Sequence, residues 1–129
     1  MLKKLVLHSI MAVNAGYTAF LFPLLGVLYP DRVPLTFYNL LAFMLVDTVW
    51  GAILAVIVYL VARLARIGLA RAITYSIVMM WTIFWFTMIP SSGGTITSLD
   101  NVIVVGADGV AALITWATLS RLVKHYTGT

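Results

Sequence analysis

The chain has 129 residues, 63% of them hydrophobic and 9% charged, with a mean hydropathy of +1.07. Soluble domains carry charge at roughly a quarter of positions, so composition alone points to a membrane protein and away from a water-soluble enzyme. The net charge of +4 comes from basic residues near the ends of apolar runs, which speaks for topology and against nucleic-acid binding, and the lack of cysteine excludes disulfides, thiolate chemistry and zinc–cysteine sites.

Four apolar segments follow one another: Leu5–Tyr29, Thr36–Ala62, Leu69–Ile89 and Asn101–Val123. Each exceeds the roughly 20 residues that cross about 30 Å of hydrocarbon at helical rise. The first begins like a signal peptide, with Lys3 and Lys4 before an apolar run and the small residues Val13-Asn14-Ala15. Its apolar run continues to Tyr29, too far for a cleaved leader, and reads as a spanning helix. Pro23 lies inside it and is expected to kink it, freeing a carbonyl near Ala19.

The connections Pro30–Leu35, Ala65–Gly68 and Ser91–Ile96 are short, which predicts two hairpins of antiparallel neighbours. Ser91-Ser92-Gly93-Gly94 reads as a flexible turn, not a phosphate loop. With four crossings, Lys3, Lys4, Arg63, Arg66, Arg71, Arg121 and Lys124 fall on one side and only Arg32 on the other. That asymmetry predicts cytoplasmic N- and C-termini. The expected fold is therefore all-α: one domain over 1–129, an integral membrane four-helix bundle of two hairpins, multi-pass, with its lipid bilayer as partner.

The second and fourth segments also share a pattern. Leu35-Thr36-Phe37-Tyr38-Asn39 aligns with Ile96-Thr97-Ser98-Leu99-Asp100, and eight residues beyond Asn39 and Asp100 stand Asp47 and Asp108. Val49, Gly51 and Ile53 then match Val110, Ala112 and Ile114, and sixteen residues past each aspartate comes Arg63 or Lys124. Thr36 and Thr97 fit helix N-caps, with Asn39 and Asp100 in capping-box position. Caps, helix-ending prolines and basic anchors recur in any such pair of helices, so the matched aspartates carry the case for a parallel internal repeat.

Eleven residues separate each cap from its aspartate, a depth of about 16 Å that puts both carboxylates near the bilayer midplane. A carboxylate in hydrocarbon is costly unless paired, protonated or solvated, and no basic side chain falls at that depth. Two close carboxylates there cannot both stay ionised, so the pair suits a proton relay, a cation site or acid–base chemistry. The competing structural reading is a protonated aspartate that bonds across helices as glue.

Asp47 shares its face with Gly51 and Ala55, and Asp108 with Ala111, Ala112 and Thr115. Small residues of this kind let another helix approach closely. Asn14, at the same depth in the first segment, completes an expected cluster of Asn14, Asp47 and Asp108, with Thr48, Thr82 and Thr115 as further contributors. Trp50, Trp81 and Trp85, with Tyr17, Phe20, Phe22, Phe43, Phe84 and Phe86, either form a π-lined chamber suited to an organic cation or face lipid. Tyr29, Phe37, Tyr38 and Tyr126 fit interfacial belts. His8 and His125 sit one turn inside the cytoplasmic anchors and fit interfacial histidines better than haem ligands. No metal or cofactor is implied.

In size and helix count the chain resembles small multidrug transporters and fluoride channels. The first segment has no glutamate like that of the former, and the polar motifs of the latter are missing, so the resemblance is one of architecture. Three functions fit the sequence: a proton- or cation-coupled transporter or channel working as a homo-oligomer, an accessory subunit of a larger respiratory or oxygenase-type membrane complex, and a membrane-embedded isomerase or cyclase of a lipid or isoprenoid using Asp47 and Asp108 as acid and base.

Overall fold

The computed structural model describes residues 1–91 and 99–127, with only the backbone described for 89–91, 99, 100, 125 and 127. Of the Ser91–Ile96 connection only the Ser91 backbone is described, as the end of a helix; the Gly93-Gly94 turn, the Thr97 cap and the side chains of Asp100 and His125 lie outside the described residues. The described residues form four helices: α1 Leu2–Leu28, α2 Phe37–Ala65, α3 Leu69–Ser91 and α4 Leu99–Thr127. No strand occurs among the described residues. All four helices are long and apolar enough to span a membrane.

Helix α2 packs against α1 and α3, and α4 also packs against α1 and α3. The two aspartate helices thus lie diagonally across the bundle, with α1 and α3 on either side of that diagonal. Small residues bring α1 close to both. A Cβ built on Gly51 would lie 2.5 Å from the Ile10 Cα, and one on Gly16 would meet the Ala111 carbonyl and lie 2.5 Å from Thr115 Oγ1. The small-residue faces beside Asp47 and Asp108 therefore serve to grip α1.

Helix α1 is not uniform. It is α-helical over Leu2–Val13, π-helical over Asn14–Leu21 and α-helical again over Phe22–Leu28. The distortion expected at Pro23 includes a wide turn before the proline: the π segment begins at Asn14, and the Phe22 N–H bonds back to Tyr17 C=O. Pro23 falls in the first turn of the segment that follows, where its missing N–H is harmless. Such π segments concentrate at functional sites.

Thr36 caps α2, accepting a hydrogen bond from Asn39 N–H at 3.2 Å. Asn39 does not close the capping box. Its side-chain amide donates to the Pro34 carbonyl at 2.8 Å and so staples the preceding loop. At the other end of α2, Arg66 takes the left-handed conformation (φ 55°) that usually calls for glycine and lets Ile67 N–H reach the Ala62 carbonyl.

The bundle is solid at one end. Leu5, Val58, Ile73, Leu119 and Val123, one or two from each helix, form a buried core toward the ends of the chain. His8 and Tyr126 add a hydrogen bond and a ring contact there, with centroids 5.1 Å apart. Toward the other end the helices part around a cavity.

Candidate functional site

The cavity has a volume of about 320 Å³ and is walled by all four helices. From α1 come Val13, Tyr17, Leu21 and Leu25, an interval of four residues. In an uninterrupted α-helix that interval drifts by about 40° per step and would carry the last residue off the face. The wider π turns absorb the drift, so the π segment is what keeps one face of α1 on the cavity.

Helix α2 contributes Asp47 and Trp50, α3 contributes Trp81, Phe84 and Trp85, and α4 contributes Asp108, Ala112 and Thr115. Both aspartates are 6% exposed. No lysine, arginine or histidine lines the cavity among the described residues. The two carboxylates thus reach one apolar chamber from opposite helices without a cation.

Their immediate partners differ. Thr18 Oγ1, on the π segment, lies 2.6 Å from Asp47 Oδ2 and 2.9 Å from Asn14 Oδ1. A hydroxyl has one hydrogen and two lone pairs. Both contacts are hydrogen bonds at once only when Asp47 is a carboxylic acid that donates to Thr18, while Thr18 donates to Asn14. Asn14 passes its amide hydrogen to the Ile10 carbonyl at 2.9 Å and completes the chain.

Asp108 faces fixed donors instead. The Trp85 indole N–H donates to its Oδ2, and the Tyr17 phenol interacts with the same carboxyl. Asp108 Oδ1 is buried with no hydrogen-bond partner, and so is the indole Nε1 of Trp81, which lines the same cavity.

The remaining sequence candidates distribute as follows. Asp47, Asp108, Trp50, Trp81, Trp85 and Thr115 all border the cavity. Asn14 does not; it stands behind Thr18, two hydrogen bonds from Asp47. Thr48 turns to its own helix and donates to the Met44 carbonyl at 2.7 Å, and Thr82 is not part of the wall. Phe22 and Phe43 pair with each other, centroids 4.7 Å apart, and Phe86 points outward. Trp50, Phe84 and Trp85 instead form an edge-to-face series at 6.5 Å and 5.2 Å.

Thr18 is the residue that sequence reading missed. Its signal was its place four residues after Asn14, which puts both polar groups on one helix face. No protein-family model matches the chain, and neither a curated protein nor a solved structure does. What the protein does is therefore argued from the site.

Proposed function

We propose that the chain is a small multi-pass membrane transporter in which Asp47 and Asp108 exchange protons for a cationic substrate, and that it works as a homo-oligomer. One observation carries this reading: two buried carboxylates reach a single cavity that no basic side chain lines among the described residues. Such a pair must be neutralised by protons or by a bound cation. Protons and substrate then compete for the same charge, and that competition is the thermodynamic basis of coupling.

The basic residues favour cytoplasmic termini. In that orientation the cavity occupies the outer half of the bundle, and the core around Leu5, Val58, Ile73, Leu119 and Val123 closes the cytoplasmic half. The two helical hairpins with matched aspartates suit a parallel repeat about an axis along the membrane normal. Four helices are few to enclose an alternating pathway, which is the reason for invoking a second copy.

The test is flux in proteoliposomes under an imposed pH gradient, followed with an entrapped pH dye while alkali or organic ammonium salts are added. Wild-type protein should discharge the gradient in a substrate-dependent way, and Asp47→Asn and Asp108→Asn should each slow it by about tenfold or more. Vesicles that hold their gradient as protein-free ones do, or variants that match wild type, overturn the proposal. Stoichiometric foreign subunits after mild-detergent purification would instead favour the accessory-subunit reading.

A second reading draws on the Thr18 hydrogen count. With Asp47 an acid and Asp108 a base in one aromatic chamber, Asp47 can protonate an alkene carbon while Asp108 removes a proton from a neighbouring carbon. That is an isomerisation of an isoprenoid with no net change in composition. Lipid extracts from cells with and without the protein would differ in double-bond position; identical extracts would remove this reading.

A further inference from the structure

We infer that the cavity binds a hydrophobic amine in its protonated form, with the ammonium N–H donating to the Asp108 carboxyl and the apolar body held by Trp50, Phe84 and Trp85. The inference rests on the reading of this cavity as the substrate site and names the class of substrate.

Three observations on different atoms converge. First, Asp108 is more than nine-tenths buried and borders the cavity, and its Oδ1 has no hydrogen-bond partner. Its Oδ2 accepts from the Trp85 indole and the Tyr17 phenol stands nearby, and the lone pairs left over on the two oxygens call for a further hydrogen, which a ligand can bring. A quaternary ammonium has none to bring.

Second, the walls beside that oxygen are aromatic. Trp50, Phe84 and Trp85 present an edge-to-face series, and Trp81 and Tyr17 lie on the same cavity. Ring faces stabilise a desolvated cation, and an ammonium above them loses less on leaving water than any anion would. Two carboxylates on the walls exclude an anionic ligand on charge alone.

Third, the size and the access fit a lipid-soluble molecule. A volume of about 320 Å³ is at the small end of ligand cavities. Trp50 and Phe84 line the cavity and are 43% and 39% exposed, so the cavity is partly open beside these rings. An amine with an apolar body can enter from the bilayer there.

The experiment is a ligand series on the purified full-length protein in detergent, read by quenching of tryptophan fluorescence. Three of the four tryptophans line the cavity, which makes the readout local. The probes are N,N-dimethyl-naphthylmethylamine below its own pKa, its quaternary trimethylammonium counterpart, and neutral naphthylmethanol. The tertiary ammonium should bind saturably and about tenfold more tightly than the quaternary one, a difference set by one charge-assisted hydrogen bond, with the carbinol weaker still. Asp108→Ala, which removes the charge and the acceptor together, should abolish the preference for the tertiary over the quaternary ammonium. Equal binding of all three by wild-type protein overturns the inference without any variant, as does a tertiary preference that survives Asp108→Ala.

The transport proposal fails separately. If the ammonium binds as expected and no probe discharges a pH gradient, the binding class stands and transport falls. If alkali cations discharge the gradient and the naphthyl ammonium neither binds nor moves, transport stands and the binding class falls.

Discussion

The Thr18 hydroxyl lies 2.6 Å from Asp47 Oδ2 and 2.9 Å from Asn14 Oδ1, so one hydrogen serves two acceptors unless Asp47 supplies its own. The contact reaches from the π segment of α1 to the middle of α2. Thr18→Val keeps the side-chain shape and removes the hydroxyl, leaving Asp47 and Asn14 facing an apolar group. It should cost about 1 kcal/mol of unfolding free energy in detergent, and Thr18→Ser should recover most of it. In proteoliposomes the valine variant should also slow gradient discharge. A valine protein as stable and as active as wild type would show that the chain of hydrogen bonds has no role.

Asp108 depends on a different donor. Trp85→Phe takes the indole N–H from Oδ2 while keeping an aromatic ring on the wall, and with Oδ1 already unpartnered the carboxyl keeps only the Tyr17 phenol nearby. A loss of about 1–3 kcal/mol follows from stranding a buried acceptor. The double variant Trp85→Phe/Asp108→Ala should cost less than the two single changes added together, because each removes the same bond. Additive effects in that cycle would contradict the contact.

The glycines separate packing from chain flexibility. Gly51 stands against the Ile10 backbone, which cannot swing aside as a side chain can, whereas nothing stands within 4 Å of a Cβ on Gly106. Gly51→Ala should therefore destabilise by about 1–3 kcal/mol through forced separation of α1 and α2. Gly106→Ala, in the exposed part of α4, should stabilise by about 0.5–1 kcal/mol. Thermal unfolding of the two proteins side by side checks the opposite signs.

These residues also mark how far sequence reading goes. The four spans are legible because hydropathy sums over some twenty residues, and errors at single positions average out. Asp47 and Asp108 are legible because burying a carboxylate is so costly that each must have a reason to be there. The expectation that small residues beside them face another helix follows from Gly51 and Ala111, both of which meet α1. What stays hidden is the π segment. Its cause is distributed: Pro23 withholds one N–H, Gly16 allows contact with α4, and Val13, Tyr17, Leu21 and Leu25 recur at an interval that only the finished bundle makes meaningful. For the same reason the sequence points to Asn14 but not to Thr18, which stands between Asn14 and Asp47. The aromatics could be divided between cavity and lipid only by the packing, since Trp50 and Phe86 look alike in sequence.

Filling the cavity tests whether it is functional space or a packing defect. Ala112 lies on the wall beside Asp108 and is 8% exposed. Ala112→Leu would send a branched apolar side chain into the cavity and bury it among the tryptophans. If the cavity is only a void, filling it gains dispersion contacts and apolar burial, and stability rises with no other consequence. If it holds the substrate, the same change keeps or raises the unfolding temperature and abolishes both ammonium quenching and gradient discharge. The two measurements are made on one purified protein, so a folded, stable variant with intact binding would count directly against the site.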